Sequence, residues 1–533
     1  MAQRTIKQSS SRKTRSARAT TLPQAKSADE IFEEALVTVK AGLGREYSMW
    51  IGGKERGAAE RFEDRSPINS GWRLGTFPKG TAQDAADALA AARAAFPAWS
   101  RMRWQERVRV LRKVVAVIEK RVYDIGAAVA LEVGKNRMEA LGEAQECADL
   151  IAYYCEAMER NGGFIHPMRR DPLKGYKATN ISVLRPYGVW AVIAPFNFPM
   201  ELSAGPVGAA LVAGNTVVFK PATDTSWAGA LLTQCVRDAG LPDGVFNFVT
   251  GPGGTLGEAL ITSPQVDGIT FTGSYDVGMH IYRAFAAGKY PRPCIAEMGG
   301  KNAAIVSRRG DLDRAAIGIM RSAFGLQGQK CSACSRIFVE KPVKEALVQK
   351  LVDLTSKIAV GDPTRLENWM GPVINRKAYD DFRSYIEELG RAGTILTGGK
   401  QLTEGEMAHG YFCAPTFVDQ VPSDHRLWKH EMFVPIAMIA AVESLDEAME
   451  RANDVDYGLT GGFYGSKKEA AWFFDKIQVG VAIANRPQGA TTGGQAGYRP
   501  FGGWKGSGSS GKSVGGLYYV QQYTHEQSQT LIE

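Results

Sequence analysis

From about residue 183 short apolar runs alternate with helical patterns: "VWAVIAP", "NTVVFKP", "VFNFVTG" and "GITFTGS". Strand-length runs separated by helices are the pattern of βαβ units and a parallel sheet. The rhythm restarts after Lys301 with "NAAIVS", a helix, "SRIFVE", the helical "PVKEALVQKLVDLTSKIAVG" and the strand-like "PIAMIAAV". Two α/β bodies follow, and 533 residues are enough for more than one core. Helical stretches at 27–44, 107–135 and 142–160 precede the first sheet, with apolar groups every three to four residues. Cys147 and Cys155 lie on the last of these and read as packing residues.

One stretch resembles a membrane span. Between Tyr187 and Phe219 the only charge is Glu201, but Pro195, Pro199 and Pro206 interrupt the run. A spanning helix would break repeatedly, so strand, turn and helix are expected instead, and no membrane is a partner.

Net charge is +8, and its location matters more than its size. Residues 1–28 carry Arg4, Lys7, Arg12, Lys13, Arg15, Arg18 and Lys26 and no acid, so the body is near neutral. With many Ser and Thr and few large apolar groups, this tail is expected to be disordered. It reads as a solvated tail, an organelle transit peptide or an arm for anionic surfaces. No nucleic acid is expected as a partner. The expected compartment is the cytoplasm, or the mitochondrial matrix if the tail is a transit peptide.

The seven cysteines are odd in number and irregularly spaced, which suits free thiols. Cys331 and Cys334 spell C-x-x-C in "GLQGQKCSACSR" (325–336). That spelling fits a zinc half-site, a redox dithiol or a single nucleophile beside a packing cysteine. The six histidines are scattered and no second C-x-x-C exists, so four zinc ligands cannot be assembled and no metal is expected. A nucleophilic thiol suits capture of an aldehyde. Such chemistry needs an oxyanion donor, a base and a hydride acceptor. Asn197 in "APFNFP" ends a buried run and could donate to an oxyanion, though a lone Asn there also serves as a turn residue. Glu297 in "AEMGGKN" could be a base, or a solvated surface acid. Lys220 in "VVFKP" stands at a strand's carboxyl end, where open α/β sheets bind ligands. "FTGSYDVG", with Gly273 and Ser274, could cradle a pyrophosphate.

Taken together, residues 48–525 resemble the aldehyde dehydrogenase superfamily. "GQKC" is similar to its nucleophile motif, "APFNFP" to its oxyanion asparagine, "EMGGKN" to its base, "VVFKP" and "FTGS" to its cofactor contacts, and "EMFVP" (431–435) to its nicotinamide-ribose segment. The resemblance implies Cys331, Glu297 and Asn197 as catalytic residues. It implies Phe196, Lys220, Thr223, Gly273, Ser274, Glu431 and Phe433 as cofactor contacts. Cys334 then packs one turn further on without a chemical role.

The implied architecture is an α/β fold: a Rossmann-like cofactor domain, an α/β catalytic domain and a β-hairpin oligomerisation element. The expected ranges are 29–177 with 189–301, 302–487, and 178–188 with 509–533, leaving 488–508 as a substrate loop and 1–28 as the tail. The last strand would lie in "GGLYYVQQYTHEQ" (515–527), and homodimers or larger homo-oligomers follow by resemblance. NAD is the implied cofactor. Thr223 stands where many members carry a ribose-binding Glu, so NADP can also be accommodated. Val434 replaces a glycine of "E-x-F-G-P".

"GQKCSACSR" and "TTGGQAGYRPFGG" (491–503) further resemble the 1-pyrroline-5-carboxylate (glutamate-γ-semialdehyde) dehydrogenases. That resemblance implies Ser332, Gly493 and Gly494 on the substrate's carboxylate, Glu143 near its amino group, and Phe501 in the late loop beside it. Another aldehyde or semialdehyde is the alternative.

Overall fold

The computed structural model describes residues 26–172 and 174–533. The expected tail, apart from Lys26, Ser27 and Ala28, lies outside the described residues. Those three belong to the folded chain: Ser27 caps the helix Ala28–Lys40 in a reciprocal capping box with Glu30, and Lys26 pairs with Glu34.

The apolar runs form two seven-stranded sheets. In the first, Cys294–Glu297, Gly268–Thr272, Val189–Ile193, Thr216–Lys220 and Phe246–Phe248 lie side by side and parallel. Met49–Ile51 and Lys54–Arg56 extend it antiparallel. Register aligns Ile193 with Lys220, Phe271 with Ile193 and Thr272 with Glu297, so these residues share one carboxyl edge. Strand order reverses direction beside Val189–Ile193. Loops diverge there and leave a crevice.

The suspected membrane-like stretch is strand Val189–Ile193, helix Glu201–Ala213 and strand Thr216–Lys220. Residues 203–213 of that helix are all buried, which explains its apolar composition. It lies against helix Arg137–Arg160 so closely that a Cβ at Gly208 would come within 2.8 Å of Ile151. No helix among the described residues is long and apolar enough to cross a membrane.

The second sheet runs Thr394–Thr397, Thr416–Asp419, Ile436–Val442, Cys334–Glu340, Asn302–Val306, Thr460–Tyr464, Val481–Ala484. It is parallel except at its first pair. Cys334 opens a strand here; it does not sit a helical turn beyond Cys331 as expected, because "CSRIFVE" alternates and pairs on both sides.

A third sheet joins Ala178–Pro186 to Thr524–Ile532 along nine residue pairs and to Ile165–Pro167 on its other side. The final strand begins at Thr524, not at Gly515. Val520–Tyr523 is a short 3₁₀ turn, where Tyr519 and Tyr523 are buried beside Tyr154 and Trp190.

Candidate active site

The carboxyl edge of the first sheet and the amino edge of the second are joined by four residues. Glu297 is the last residue of one strand and Asn302 the first of the next. Each residue between them is tied down. The Met298 N–H donates to the Ser507 carbonyl at 2.8 Å, and Ser507 Oγ donates to the Gly299 carbonyl at 2.7 Å. The Gly300 N–H donates to Glu431 Oε1 at 2.8 Å, and Arg336 Nε donates to the Lys301 carbonyl at 2.8 Å. A Cβ at 299 would sit 2.1 Å from Glu431 Oε2 and push that carboxylate aside, and one at 300 would sit 2.3 Å from the Cys331 carbonyl oxygen, which is main chain.

That last contact puts Cys331 against the connection. Asn302 Nδ2 donates to the carbonyls of Cys331 (2.7 Å) and Ala333 (2.9 Å), and its Oδ1 accepts the Thr460 N–H. From the other sheet, Asn197 Nδ2 donates to the Gln329 carbonyl at 3.0 Å. An amide nitrogen carries two N–H groups, so one remains after this bond. Thr491 Oγ1 donates to the Ser332 carbonyl at 2.6 Å. Lys330 pairs with Glu139 at 2.6 Å, and the other Glu139 oxygen accepts the Leu326 N–H. These ties hold a strained approach to Cys331: Leu326, Gln327 and Gly328 all have positive φ, which costs a non-glycine residue of order 1–2 kcal/mol.

Cys331 is half-buried. Burial pushes its thiol well above the ordinary range, and the nearby Glu431, Glu297 and Glu201 add to the shift. Glu297 is buried and its Oε2 has no partner. Burial raises its carboxyl well above the usual range, opposed only by a backbone hydrogen bond from Gly503. Burial likewise brings Glu431 up to about 7. Cys334 is 1% exposed and its thiol donates to the Arg336 carbonyl, as a packing residue does.

Lys220 ends its strand 4% exposed, with Nζ bonded only to the Pro221 carbonyl at 3.1 Å. Burial lowers its pKa to about 8. An ammonium group with unused donors in the crevice suits a hydroxyl-rich or anionic ligand, which is what a dinucleotide presents. Ser274 is the N-cap residue of helix Tyr275–Ala286, and a Cβ at Gly273 would collide with the Phe271 ring at 2.5 Å. Around Gly253 and Gly254 an added Cβ would meet nothing within 4 Å, so the backbone there borders open space. Phe196 and Phe433 meet edge to face across the two sheets, centroids 5.8 Å apart. Phe433 holds φ +57°, and the Val434 carbonyl packs against Gly328. Thr223 is exposed, but Asp224 beside it keeps a carboxylate in this turn, tied to Asn375.

A cavity of about 260 Å³ opens beside the late loop, with Gly494 and Phe501 in its wall. Ser332 is buried. Gly493 holds φ +105°, and its carbonyl accepts from Arg499 Nε. Glu143 does not face the cavity. Its Oε2 pairs with the fully buried Lys135 at 2.5 Å, and its Oε1 accepts the Met200 N–H at 2.8 Å, so the expected amine contact is already occupied. Glu146, one turn along the same helix, does line the cavity, and so does Glu201.

The aldehyde dehydrogenase family profile matches residues 54–529. The chain belongs to the aldehyde dehydrogenase family. It is 36% identical over 508 residues to a 1-pyrroline-5-carboxylate dehydrogenase of Geobacillus sp. (strain WCH70), covering 94% of this chain and 96% of that one. The crystal structure of the 1-pyrroline-5-carboxylate dehydrogenase from Thermus with bound NAD is similar at a TM-score of 0.89 and 35% identity, covering 98% and 99% of the two chains. The betaine aldehyde dehydrogenase of Staphylococcus aureus with NAD⁺ gives 0.87 at 25% identity over 94% and 97%. Both α/β bodies therefore belong to a known aldehyde dehydrogenase fold.

Sequence reasoning passed over Asn302, Thr491, Glu139 and Arg336, which act through main-chain carbonyls and N–H groups. Asn302 was within reach, since it ends the quoted "EMGGKN". Arg336 likewise ends "GLQGQKCSACSR" and Thr491 opens "TTGGQAGYRPFGG", whereas Glu139 lies far from Cys331 in sequence and carries no local signal.

Proposed function

We propose that this chain oxidises glutamate-γ-semialdehyde to glutamate with NAD. The observation that carries the reading is the convergence of Cys331, Asn197 and Glu297 where the two sheet edges meet. The relatives' names support the choice of substrate.

Cys331 attacks the aldehyde carbon. The second Asn197 N–H and the Cys331 backbone N–H stabilise the oxyanion. A bound nicotinamide would supply the hydride acceptor, and Cys331 would then carry the acyl group as a thioester. Glu297 then takes a proton from water, which hydrolyses the thioester. Lys220, Thr223, Gly273, Ser274, Glu431, Phe196 and Phe433 hold the dinucleotide, while Ser332, Gly493, Gly494 and Phe501 receive the substrate. The sheet of Ile165–Pro167, Ala178–Pro186 and Thr524–Ile532 joins copies of the chain into an oligomer.

The test is an aldehyde panel assayed with NAD and with NADP. Glutamate-γ-semialdehyde with NAD should give the highest kcat/KM, about a hundredfold above an uncharged aliphatic aldehyde. Equal turnover of hexanal would remove the carboxylate anchor and leave only aldehyde oxidation.

A further inference from the structure

Two lysine–glutamate pairs meet at one aromatic ring, and the oxidation steps use neither. Lys135 Nζ lies 3.5 Å from the centre of the Phe198 ring and Lys330 Nζ lies 5.9 Å from it. Lys135 pairs with Glu143 at 2.5 Å, and Lys330 pairs with Glu139 at 2.6 Å. Glu139 and Glu143 are four residues apart on helix Arg137–Arg160, so they share one face of it. Phe198 directly follows Asn197, and Lys330 directly precedes Cys331. One helix face therefore reaches the loop of the oxyanion donor and the turn of the nucleophile.

The pair at Asn197 is the more deeply set. Neither side chain of Lys135 and Glu143 is exposed. Glu143 Oε1 accepts the N–H groups of Met200 (2.8 Å) and Glu201 (3.3 Å), where helix Glu201–Ala213 begins and main-chain donors lack partners within the helix. Asn197, three residues earlier, is thus held on one side by this carboxylate. On the other side its own amide holds the Gln329 carbonyl at 3.0 Å. Lys135 is fixed from behind as well. Gly134 closes the preceding helix at φ +81°, its carbonyl accepts Gln327 Nε2 at 3.1 Å, and Asn136 Nδ2 donates to the Trp369 carbonyl at 2.8 Å. A fully buried ion pair adds little net stability over uncharged groups of the same volume. What this one adds is a fixed geometry for three segments at once.

We propose that Lys135 and Glu143 are positioning residues for the oxidation: together with the Phe198 ring laid against the ammonium group, they set the Asn197 amide in place opposite Cys331. The proposal rests on the reading of Cys331 as nucleophile and Asn197 as oxyanion donor. An oxyanion forms from every aldehyde, so the pair acts on all of them alike, unlike a contact to one substrate's amino group. A donor displaced by a fraction of an ångström loses most of its effect in the transition state and little in the ground state.

The test is a mutant cycle read by stopped flow, with the full chain in excess over aldehyde at saturating NAD. The rate constant of NADH formation then does not depend on the fraction of folded protein. The variant Lys135→Met with Glu143→Gln keeps the volumes close and leaves no unpaired charge. It should lower this rate constant about tenfold, equally for glutamate-γ-semialdehyde and propanal, with the KM for NAD unchanged. Asn197→Ala should lower it about a hundredfold. Added to Asn197→Ala, the pair substitution should cost less than about twofold more, because residues acting through one group are not additive. Thermal unfolding checks that each variant folds, and if the pair variant does not, Glu143→Gln alone enters the same cycle. An unchanged rate constant, a loss confined to the semialdehyde, or losses that multiply with that of Asn197→Ala would overturn the positioning role while aldehyde oxidation stands. If Asn197→Ala alone leaves the rate constant unchanged, the oxyanion reading falls and the positioning role falls with it.

Discussion

The two sheet edges that meet at Cys331 are built in opposite ways. On the second sheet's side the side chains that hold the cysteine turn are spent on it, although Lys301 Nζ, Gln327 Oε1 and Gln329 Nε2 nearby have no partner: Asn302 holds two carbonyls of the turn, Thr491 holds a third, and Lys330 is clamped by Glu139. On the first sheet's side the polar groups are kept in reserve. Glu297 Oε2 has no partner and Lys220 has one neutral acceptor. Unsatisfied buried groups cost about 1–3 kcal/mol each, so a folded chain keeps them where something else completes the bonding. The difference separates position from capacity. One edge fixes where the nucleophile is, and the other holds the groups that change partners during reaction.

The largest expected effect tests the nucleophile. Cys331→Ala should lower aldehyde oxidation by about a thousandfold or more, whereas Cys334→Ala should keep most of it. Steady-state NADH formation on both variants decides. Equal loss would make the pair, rather than Cys331, the working unit.

Next is the reserved carboxylate. Glu297→Gln should slow turnover by about a hundredfold while a rapid first burst of NADH persists, because hydride leaves before water attacks. Stopped-flow absorbance separates the phases. In the unsubstituted protein the Cys331 thiol and the Glu297 carboxyl are both raised, so their reactive, deprotonated forms grow with pH. The specificity constant kcat/KM should therefore rise between about pH 6 and about pH 9, and a flat profile over that range would contradict the assignment.

Lys220→Ala should raise the KM for NAD by about tenfold with a smaller change in kcat, as expected for a group that binds but does not react. A change in kcat alone would move Lys220 out of the cofactor crevice. Asn302→Ala belongs to the other edge and should act on stability. Loss of two donors and one acceptor costs about 2–4 kcal/mol, read as a shift in the urea midpoint, with Cys334→Ala as the control.

How much of this was legible beforehand depended on whether a residue acts locally. The parallel strands were readable because each is a short apolar run, and Asn197, Lys220 and Glu297 stood at or just beyond their ends. The cysteine turn was misread in one respect: C-x-x-C suggested a helical turn, but Cys334 pairs in a sheet, and strand pairing is not encoded by spacing alone. The amine contact was assigned to Glu143, which is consumed by Lys135, a partner eight residues away that the motif did not point to. Glu201 did carry a signal. It is the only charge between Tyr187 and Phe219, and a lone acid in so apolar a run needs a reason. Tyr519 and Tyr523 in the core, and Ile165–Pro167 in the third sheet, depended on contacts hundreds of residues apart or on runs too short to announce themselves.

The four pinned residues between Glu297 and Asn302 make that connection a gauge, not a linker. Adding or removing one residue in an ordinary surface loop changes its length and little else. Here it would advance the following strand by one step, and side chains along a strand alternate between faces. Asn302 would turn away from the cysteine carbonyls, and the acid that opens the segment would lose its distance from the thiol. Insertions should thus be tolerated almost anywhere on the rims of this protein before they are tolerated at 298–301, and a lineage that drifted in length at that point would have to find its base or its nucleophile again.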